Sequence, residues 1–327
     1  MSGVCSGLCR EQSSISADTV SERKECRMMT GSKDTMKAYL SLLVVFFCWG
    51  SVYVANRYVL NSLTAPELAC CRFLVSSAVL GGMLLGQRGH LPKIDRKDRA
   101  AFLFIGFMGY YLSMECTLLS VQYAGASLGS LINSLNPVFI TIFAAIFLKE
   151  QLTVRKILCL VLAMIGVLIV TGGADGAGNV PGVLYGLGSI LAWVVCVVSI
   201  RKLSARYPAM LITFLGITLS LIFHIPTASF ELVNNGLPQV SLLTFLCILY
   251  SGVFGTAIPQ FLWNYSLSKL PASTCSMFYP LMPVFSAILG AALLGEKLTG
   301  RFFAGGALIA ATVIVSSIPH DRHKASS

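Results

Sequence analysis

From residue 37 almost to its end, the chain alternates long apolar stretches with short polar breaks. A helix needs about 20 predominantly apolar residues to cross a bilayer. Stretches of that kind fall at 37–60, 66–87, 100–121, 125–148, 153–172, 181–203, 208–229, 240–266, 271–294 and 300–318, ten in all. In hydrocarbon a helix satisfies its own backbone polar groups, whereas an open strand or loop cannot. The pattern therefore predicts an all-α integral membrane protein with ten transmembrane helices. The breaks are too short to hold a soluble catalytic module.

One segment occurs twice. Asn136-Pro137-Val138-Phe139 through Glu150-Gln151-Leu152-Thr153 returns as Met282-Pro283-Val284-Phe285 through Glu296-Lys297-Leu298-Thr299. Pro283 follows Pro137 by 146 residues, as Glu296 follows Glu150, and an apolar helix separates Pro from Glu in both copies. Five stretches fall in each half. Because five is odd, the second copy enters the membrane from the opposite side, which predicts two inverted five-helix repeats. The predicted organisation is a disordered cytoplasmic tail over 1–36, a first repeat over 37–173, a linker over 174–180, a second repeat over 181–318 and a cytoplasmic tail over 319–327.

Hydrophobic residues make up 55% of the chain and charged residues 12%, while Lys and Arg exceed Asp and Glu by ten. Such an excess would fit nucleic acid, but its placement fits membrane orientation instead. With a cytoplasmic N-terminus, 20 of the 24 Lys and Arg fall in the tails and cytoplasmic loops, leaving Arg57, Arg72, Lys297 and Arg301 elsewhere. The expected location is the cytoplasmic membrane, with both termini inside. Of the eleven Cys, those at 48, 70, 71, 116, 159, 196, 247 and 275 lie in apolar stretches and read as small apolar residues. Cys5, Cys9 and Cys26 match no zinc spacing. Residues 1–35 hold no apolar core of signal-peptide type, and Met28, Met29 and Met36 are alternative starts close to the first stretch.

Several motifs resemble one family over residues 37–318. They are Trp49-Gly50-Ser51 with Arg57 eight residues on, Arg72 early in the second stretch, Ala124 to Ser127, and the ending Phe147-Leu148-Lys149-Glu150-Gln151-Leu152-Thr153. The second half repeats the pattern with Trp193 and Arg201, Gly255-Thr256-Ala257, and Leu294-Gly295-Glu296-Lys297-Leu298-Thr299. The chain resembles the drug/metabolite transporter superfamily, in its form with two EamA domains. That resemblance implies a ten-helix transporter with a central cavity, moving small metabolites such as amino acids, often outward. The superfamily also includes nucleotide-sugar and sugar-phosphate exchangers.

Polar side chains at helical spacing inside apolar stretches mark where a solute could be met, since an unpaired polar group is costly in hydrocarbon. Trp49, Tyr53, Asn56 and Arg57 share one face of the first stretch. Ser127, Ser130, Asn133 and Asn136 recur every third residue, and their repeat partners are Ser273, Ser276, Tyr279 and Met282. Close helix packing is the competing account of the serines. Thr256, Gln260 and Asn264, beside Trp263, add amides that both donate and accept. Glu115 lies inside the third stretch, where a carboxylate is expensive. It is a candidate for proton coupling or for a substrate amine, against a structural ion pair with Arg57 or Arg72. Those two arginines are candidates for an anionic substrate group, against snorkelling to headgroups. His224 reads as a hydrogen-bonded histidine.

Glu150 and Glu296 read as structural groups at helix junctions. Pro137, Pro283 and Pro259 lie inside apolar stretches, where each removes a backbone donor and offers either a bending point or a static kink. The Gly-rich run from Gly172 to Gly178 lacks a following Gly-Lys-Ser/Thr and reads as a connector. Taken together, the sequence predicts a secondary transporter exporting amino acids or related amphipathic compounds by alternating access. Nucleotide-sugar or sugar-phosphate antiport is the alternative within transport, and a membrane sensor or intramembrane enzyme the alternative outside it. For the enzyme, Glu115 with His224 is the candidate pair. No catalytic residue, cofactor, metal or nucleic acid is expected. The expected partners are a small-molecule substrate and the lipid bilayer, with a homodimer left open.

Overall fold

The structure, a computed structural model, describes residues 34–52, 55–56, 58–86, 92–133, 135–171, 180–294 and 300–317. Tyr53, Arg57, Lys297, Glu296, the three tail cysteines and nearly all of the predicted linker lie outside them. The described residues form helices and no strand. In chain order these are α1 (Asp34–Val52), α2 (Ala65–Gly86), α3 (Arg99–Ile105), α4 (Ser113–Asn133), α5 (Asn136–Leu148), α6 (Val154–Thr171) and α7 (Val180–Leu203). The second half continues with α8 (Ala209–Asn235), α9 (Leu242–Gly252), α10 (Ile258–Lys269), α11 (Ala272–Ser276), α12 (Leu281–Leu294) and α13 (Gly300–Ser317). Two π-helical segments interrupt the α-helical winding, π1 (Gly106–Leu112) between α3 and α4 and π2 (Val253–Ala257) between α9 and α10.

Six helices among the described residues are long and apolar enough to cross a membrane: 34–52, 65–86, 96–120, 180–203, 209–235 and 242–269. They form two sets of three at matching places in the two halves. Local chemistry sets several of their ends. The Glu67 carboxylate accepts from the Thr64 N–H at 2.7 Å as α2 begins, one half of a capping box. Ser241 caps α9 by accepting from the Thr244 N–H at 3.1 Å. Gly236, with φ of 77°, ends α8 in a conformation that favours glycine.

The break expected at residues 122–124 is absent, because helix α4 runs unbroken from Ser113 to Asn133. At the matching place in the second half, α10 stops at Lys269, before Pro271. Proline has no N–H and forces the preceding residue into extended backbone, and Leu270 has ψ of 154°. Gly125 stands where Pro271 would fall and carries no such restriction.

The stretches predicted at 125–148 and 271–294 are not single helices. In the first, the helix ends at Asn133 and a new one starts at Asn136; in the second, α11 ends at Ser276 and α12 starts at Leu281 after four residues of turn. Pro137 and Pro283 therefore do not lie in helix interiors. They sit in the first turn of α5 and α12, where a missing N–H costs nothing. Pro259 differs, since it lies inside the continuous helix 242–269, directly after the wider turn of π2.

The halves pack reciprocally. Helix α2 lies against α8 and α6 against α13, each an element beside its own counterpart, and α5 lies against α11. The two π segments fall at matching positions and are both pressed against neighbours through glycine. A Cβ on Gly109 would come within 2.0 Å of Cys196 Sγ on α7, and a Cβ on Gly255 within 2.9 Å of Val52 on α1. Gly255 follows Gly109 by 146 residues, and Cys196 follows Val52 by 144. Where these helices meet, Phe46, Phe73, Tyr110, Trp193, Trp263 and Tyr279 form the centre of the main core.

Candidate functional site

The chain has three tryptophans, and the fold brings all of them together. Trp263 lies 5.8 Å from Trp49 and 6.4 Å from Trp193, ring centre to ring centre, and 5.5 Å from Tyr279. Phe46 closes one side, 4.9 Å from Tyr279 and 5.4 Å from Trp49. Tyr110 extends the cluster past Trp193 at 6.2 Å. These distances and tilted or edge-on planes are those of attractive aromatic pairs. Tyr279 reaches the cluster from the turn between α11 and α12, so one wall is the interruption in a helix. Its hydroxyl oxygen accepts from Trp193 Nε1 at 2.6 Å.

Next to the rings, helix α10 carries three polar groups between Gln260 and Asn264. Trp263 Nε1, Gln260 Oε1 and Asn264 Oδ1 are buried and have no hydrogen-bond partner among the described residues. The orientation of Asn264 is fixed by its neighbours. Thr213 uses its own proton on the Ala209 carbonyl at 2.8 Å, so its oxygen accepts from Asn264 Nδ2, also at 2.8 Å. The second amide proton goes to the Tyr110 hydroxyl at 3.0 Å. Leaving a buried polar atom unsatisfied costs about 1–3 kcal/mol, so three so close together set this part of α10 apart from the apolar packing around it.

A second constellation lies on the far side of Tyr110. Glu115 Oε1 is 3.1 Å from His224 Nδ1, and His224 Nε2 is 3.1 Å from the Tyr110 carbonyl oxygen. His224 is fully buried and Glu115 is 8% exposed. Sequence reasoning offered Arg57 or Arg72 as an ionic partner of Glu115, and His224 as its pair in an enzyme; His224, 109 residues away, does meet it, while Arg57 lies outside the described residues.

The remaining candidates are dispersed. Arg72 is buried on α2 and donates from Nη2 to Thr256 Oγ1 of π2 at 3.0 Å. Asn56 Oδ1 accepts from the Ser251 hydroxyl at 3.0 Å. Asn136 Nδ2 donates to the Asn133 carbonyl at 2.9 Å and to its side-chain oxygen, bridging the gap between α4 and α5. The stripe Thr256, Gln260, Asn264 does not face one path, because Thr256 turns to Arg72 on α2 and Asn264 to Thr213 on α8. Glu150 accepts from the Ala272 N–H at 2.8 Å, and from the Ser273 N–H and hydroxyl at 3.2 and 2.6 Å, across the start of α11. Lys156 adds a bond to Ser273 Oγ at 2.7 Å.

Two central groups were missed as site residues. Tyr110 lies in an ordinary apolar run and carries no signal. Trp193 does carry one, since it follows Trp49 by the same 144 residues that separate Val52 from Cys196.

The model of the EamA-like transporter family matches residues 36–172 and again 180–318. The chain belongs to the EamA-like transporter family. It is similar to the uncharacterized transporter YetK of Bacillus subtilis, at 26% identity over 88% of each chain, and to an uncharacterized transporter of Archaeoglobus fulgidus, at 27% over 84% of this chain and 96% of that one. Among solved structures, one crystal structure superposes with a TM-score of 0.73 over 87% of this chain and 97% of its own, at 18% identity. An EamA-family chain with these helices is a multi-pass membrane protein of a transporter family. Both matched regions contain one π segment and one interrupted apolar stretch.

Proposed function

We propose that the chain is a secondary-active transporter whose ten membrane crossings form two inverted five-helix halves. The solute binds at the tryptophan cluster and is exposed alternately to either side. The observation that carries this reading is the meeting of Trp49, Trp193, Trp263 and Tyr279 beside an interrupted helix, with three buried polar atoms of α10 left without a partner among the described residues. Interrupted helices at corresponding places in two repeats are where transporters of this build hold their solutes. Flat aromatic faces with a few fixed amides suit a small amphipathic compound. Amino acids and related compounds fit that chemistry better than a nucleoside diphosphate, which would require several cations. The described part of the cluster holds none.

The charge distribution along the sequence supports cytoplasmic termini in the cell membrane, and export is the direction that the resemblance implies. Counterflow into proteoliposomes, with a labelled panel of amino acids, nucleotide sugars, sugar phosphates and organic cations, tests the proposal. Uptake of an amphipathic amine or amino acid that falls at least about tenfold in Trp263→Ala, with stability held in Trp263→Phe, is the expected result. A sugar-phosphate hit that is indifferent to Trp263 overturns the substrate class. A wholly negative panel from folded protein overturns transport of these compounds.

A further inference from the structure

His224 stands on α8 in the second half, and the four groups that its ring meets all belong to the first. Phe73 lies against one face at 4.6 Å and Tyr111 meets it edge-on at 5.0 Å. The Tyr110 carbonyl takes Nε2 and Glu115 takes Nδ1. A carbonyl oxygen only accepts, so Nε2 must carry a proton. The other nitrogen then faces a carboxyl oxygen at 3.1 Å, and two lone pairs cannot hold that contact. One proton must lie between them, either as imidazolium with carboxylate or as neutral imidazole with carboxylic acid. Both forms are neutral overall and contain the same number of protons.

We propose that Glu115 and His224 form a one-proton latch between the two halves of the molecule. With the proton in place the outer end of α8 is bound to π1 and α4. When it leaves to water, an anionic carboxylate and an unprotonated Nδ1 face each other, and the contact opens. The local backbone is suited to this. Pro226 lies inside α8 two residues beyond His224 and removes the donor that would tie the Ile222 carbonyl. The Thr227 hydroxyl bonds the next two carbonyls, of Phe223 and His224, at 3.2 and 3.0 Å.

Among the described residues, titratable groups within electrostatic reach of Glu115 include Cys70 on α2, Tyr111 on π1 and Cys116 on α4. Helix α8 carries no further charge before Glu231. Helix α7 presents Ser189 to this part of α4, and Arg72 on α2 turns its Nη2 to Thr256.

The matching positions in the opposite sense are Phe261 for Glu115 and Leu80 for His224, and neither can titrate. Protons therefore act on one of the two related contacts and not on the other. Joined to the transporter reading, on which this consequence rests, the latch makes closure of the outer side depend on a proton taken from outside. Solute exchange is thereby tied to the proton gradient.

Hydrogen–deuterium exchange of the full-length protein in lipid nanodiscs tests the latch without any solute. Amides of residues 219–235 are read across pH and corrected for the chemical exchange rate. In the native protein their protection should fall as pH rises, with a limiting slope of about tenfold per pH unit for one proton. In Glu115→Gln the amide donates to Nδ1 with no proton to lose, so protection should stay high and flat. His224→Gln keeps a bond to Glu115 and should also be flat, which provides a second variant if the first fails to fold. A flat native profile, or an unchanged slope in Glu115→Gln, overturns the latch. The same preparations in counterflow separate the two readings: a native slope without transport removes the transporter proposal alone, and transport with a flat profile removes the latch alone.

Discussion

Around π1, Gly109 lies against Cys196 and Gly106 against the backbone of Gly216; around π2, Gly255 lies against Val52 and Gly252 against Val75 and the Arg72 carbonyl. Each contact in one half has its counterpart in the other. What fills the adjoining space differs. In the first case Tyr110 supplies a large ring and Gly216 makes room for it, since a Cβ there would meet the ring at 2.5 Å. In the second the small partner is Thr256 and the large one Arg72, joined by a hydrogen bond. Likewise Glu115 and His224 stand where the other half has Phe261 and Leu80. The duplicated framework keeps backbone approaches, which tolerate no extra atom. The same total volume can be divided differently between two side chains, and chemistry can diverge there without moving a helix.

The largest test of the comparison concerns Gly125 and Pro271. Gly125→Pro puts the second half's proline into the continuous helix α4 and should cost about 3 kcal/mol or more in stability, read as a steep loss of thermal stability of the purified protein. A neutral outcome would mean that α4 does not continue through Gly125. Next in size are the two π glycines. Gly109→Ala should destabilise by about 3 kcal/mol, the upper end for overpacking, and Gly255→Ala by about 1 kcal/mol, following clashes at 2.0 and 2.9 Å. Cys196→Gly should rescue the first and Val52→Ala the second, while crossed pairings rescue neither.

Thr256→Val removes the hydroxyl that Arg72 meets and should cost about 2 kcal/mol, as hydrogen bonds to charged groups do. The matched change Tyr110→Phe removes only a neutral bond from Asn264 and should cost about 1 kcal/mol. Equal losses would deny that the halves use different polar chemistry at this place. Smallest is Glu150→Ala, which uncaps α11 at an expected cost of about 1 kcal/mol. Glu150→Gln should recover part of it, since an amide oxygen still accepts from one N–H.

Much of this arrangement is written locally. Apolar length announces helices, and Thr64 with Glu67, Ser241 and Pro271 set helix ends by chemistry within three residues. The recurring Pro137 and Pro283 were visible too, but their setting was not. A proline in an apolar run reads as a kink until the chain is seen to stop and restart one or two residues before it. Trp49, Trp263, Asn264, Gln260, Tyr279 and Glu115 could be picked out because polar and large aromatic groups are conspicuous in an apolar background. Tyr110 could not, since it becomes special only when Gly216 admits its ring and Asn264 reaches its hydroxyl.

By itself the sequence determined that this is a helical membrane protein made twice over, of a transporter family, because apolar length, the repeated segment and its motifs are properties of the chain read in order. Which of the groups offered by the sequence meet, Glu115 with His224 among them, was decided by the tertiary structure. His224 finds Glu115 across 109 residues, and the tryptophans gather from three helices, because side-chain contacts depend on how helices turn against each other. Periodicity along one helix fixes which residues share a face. It carries no information about which other helix that face will meet.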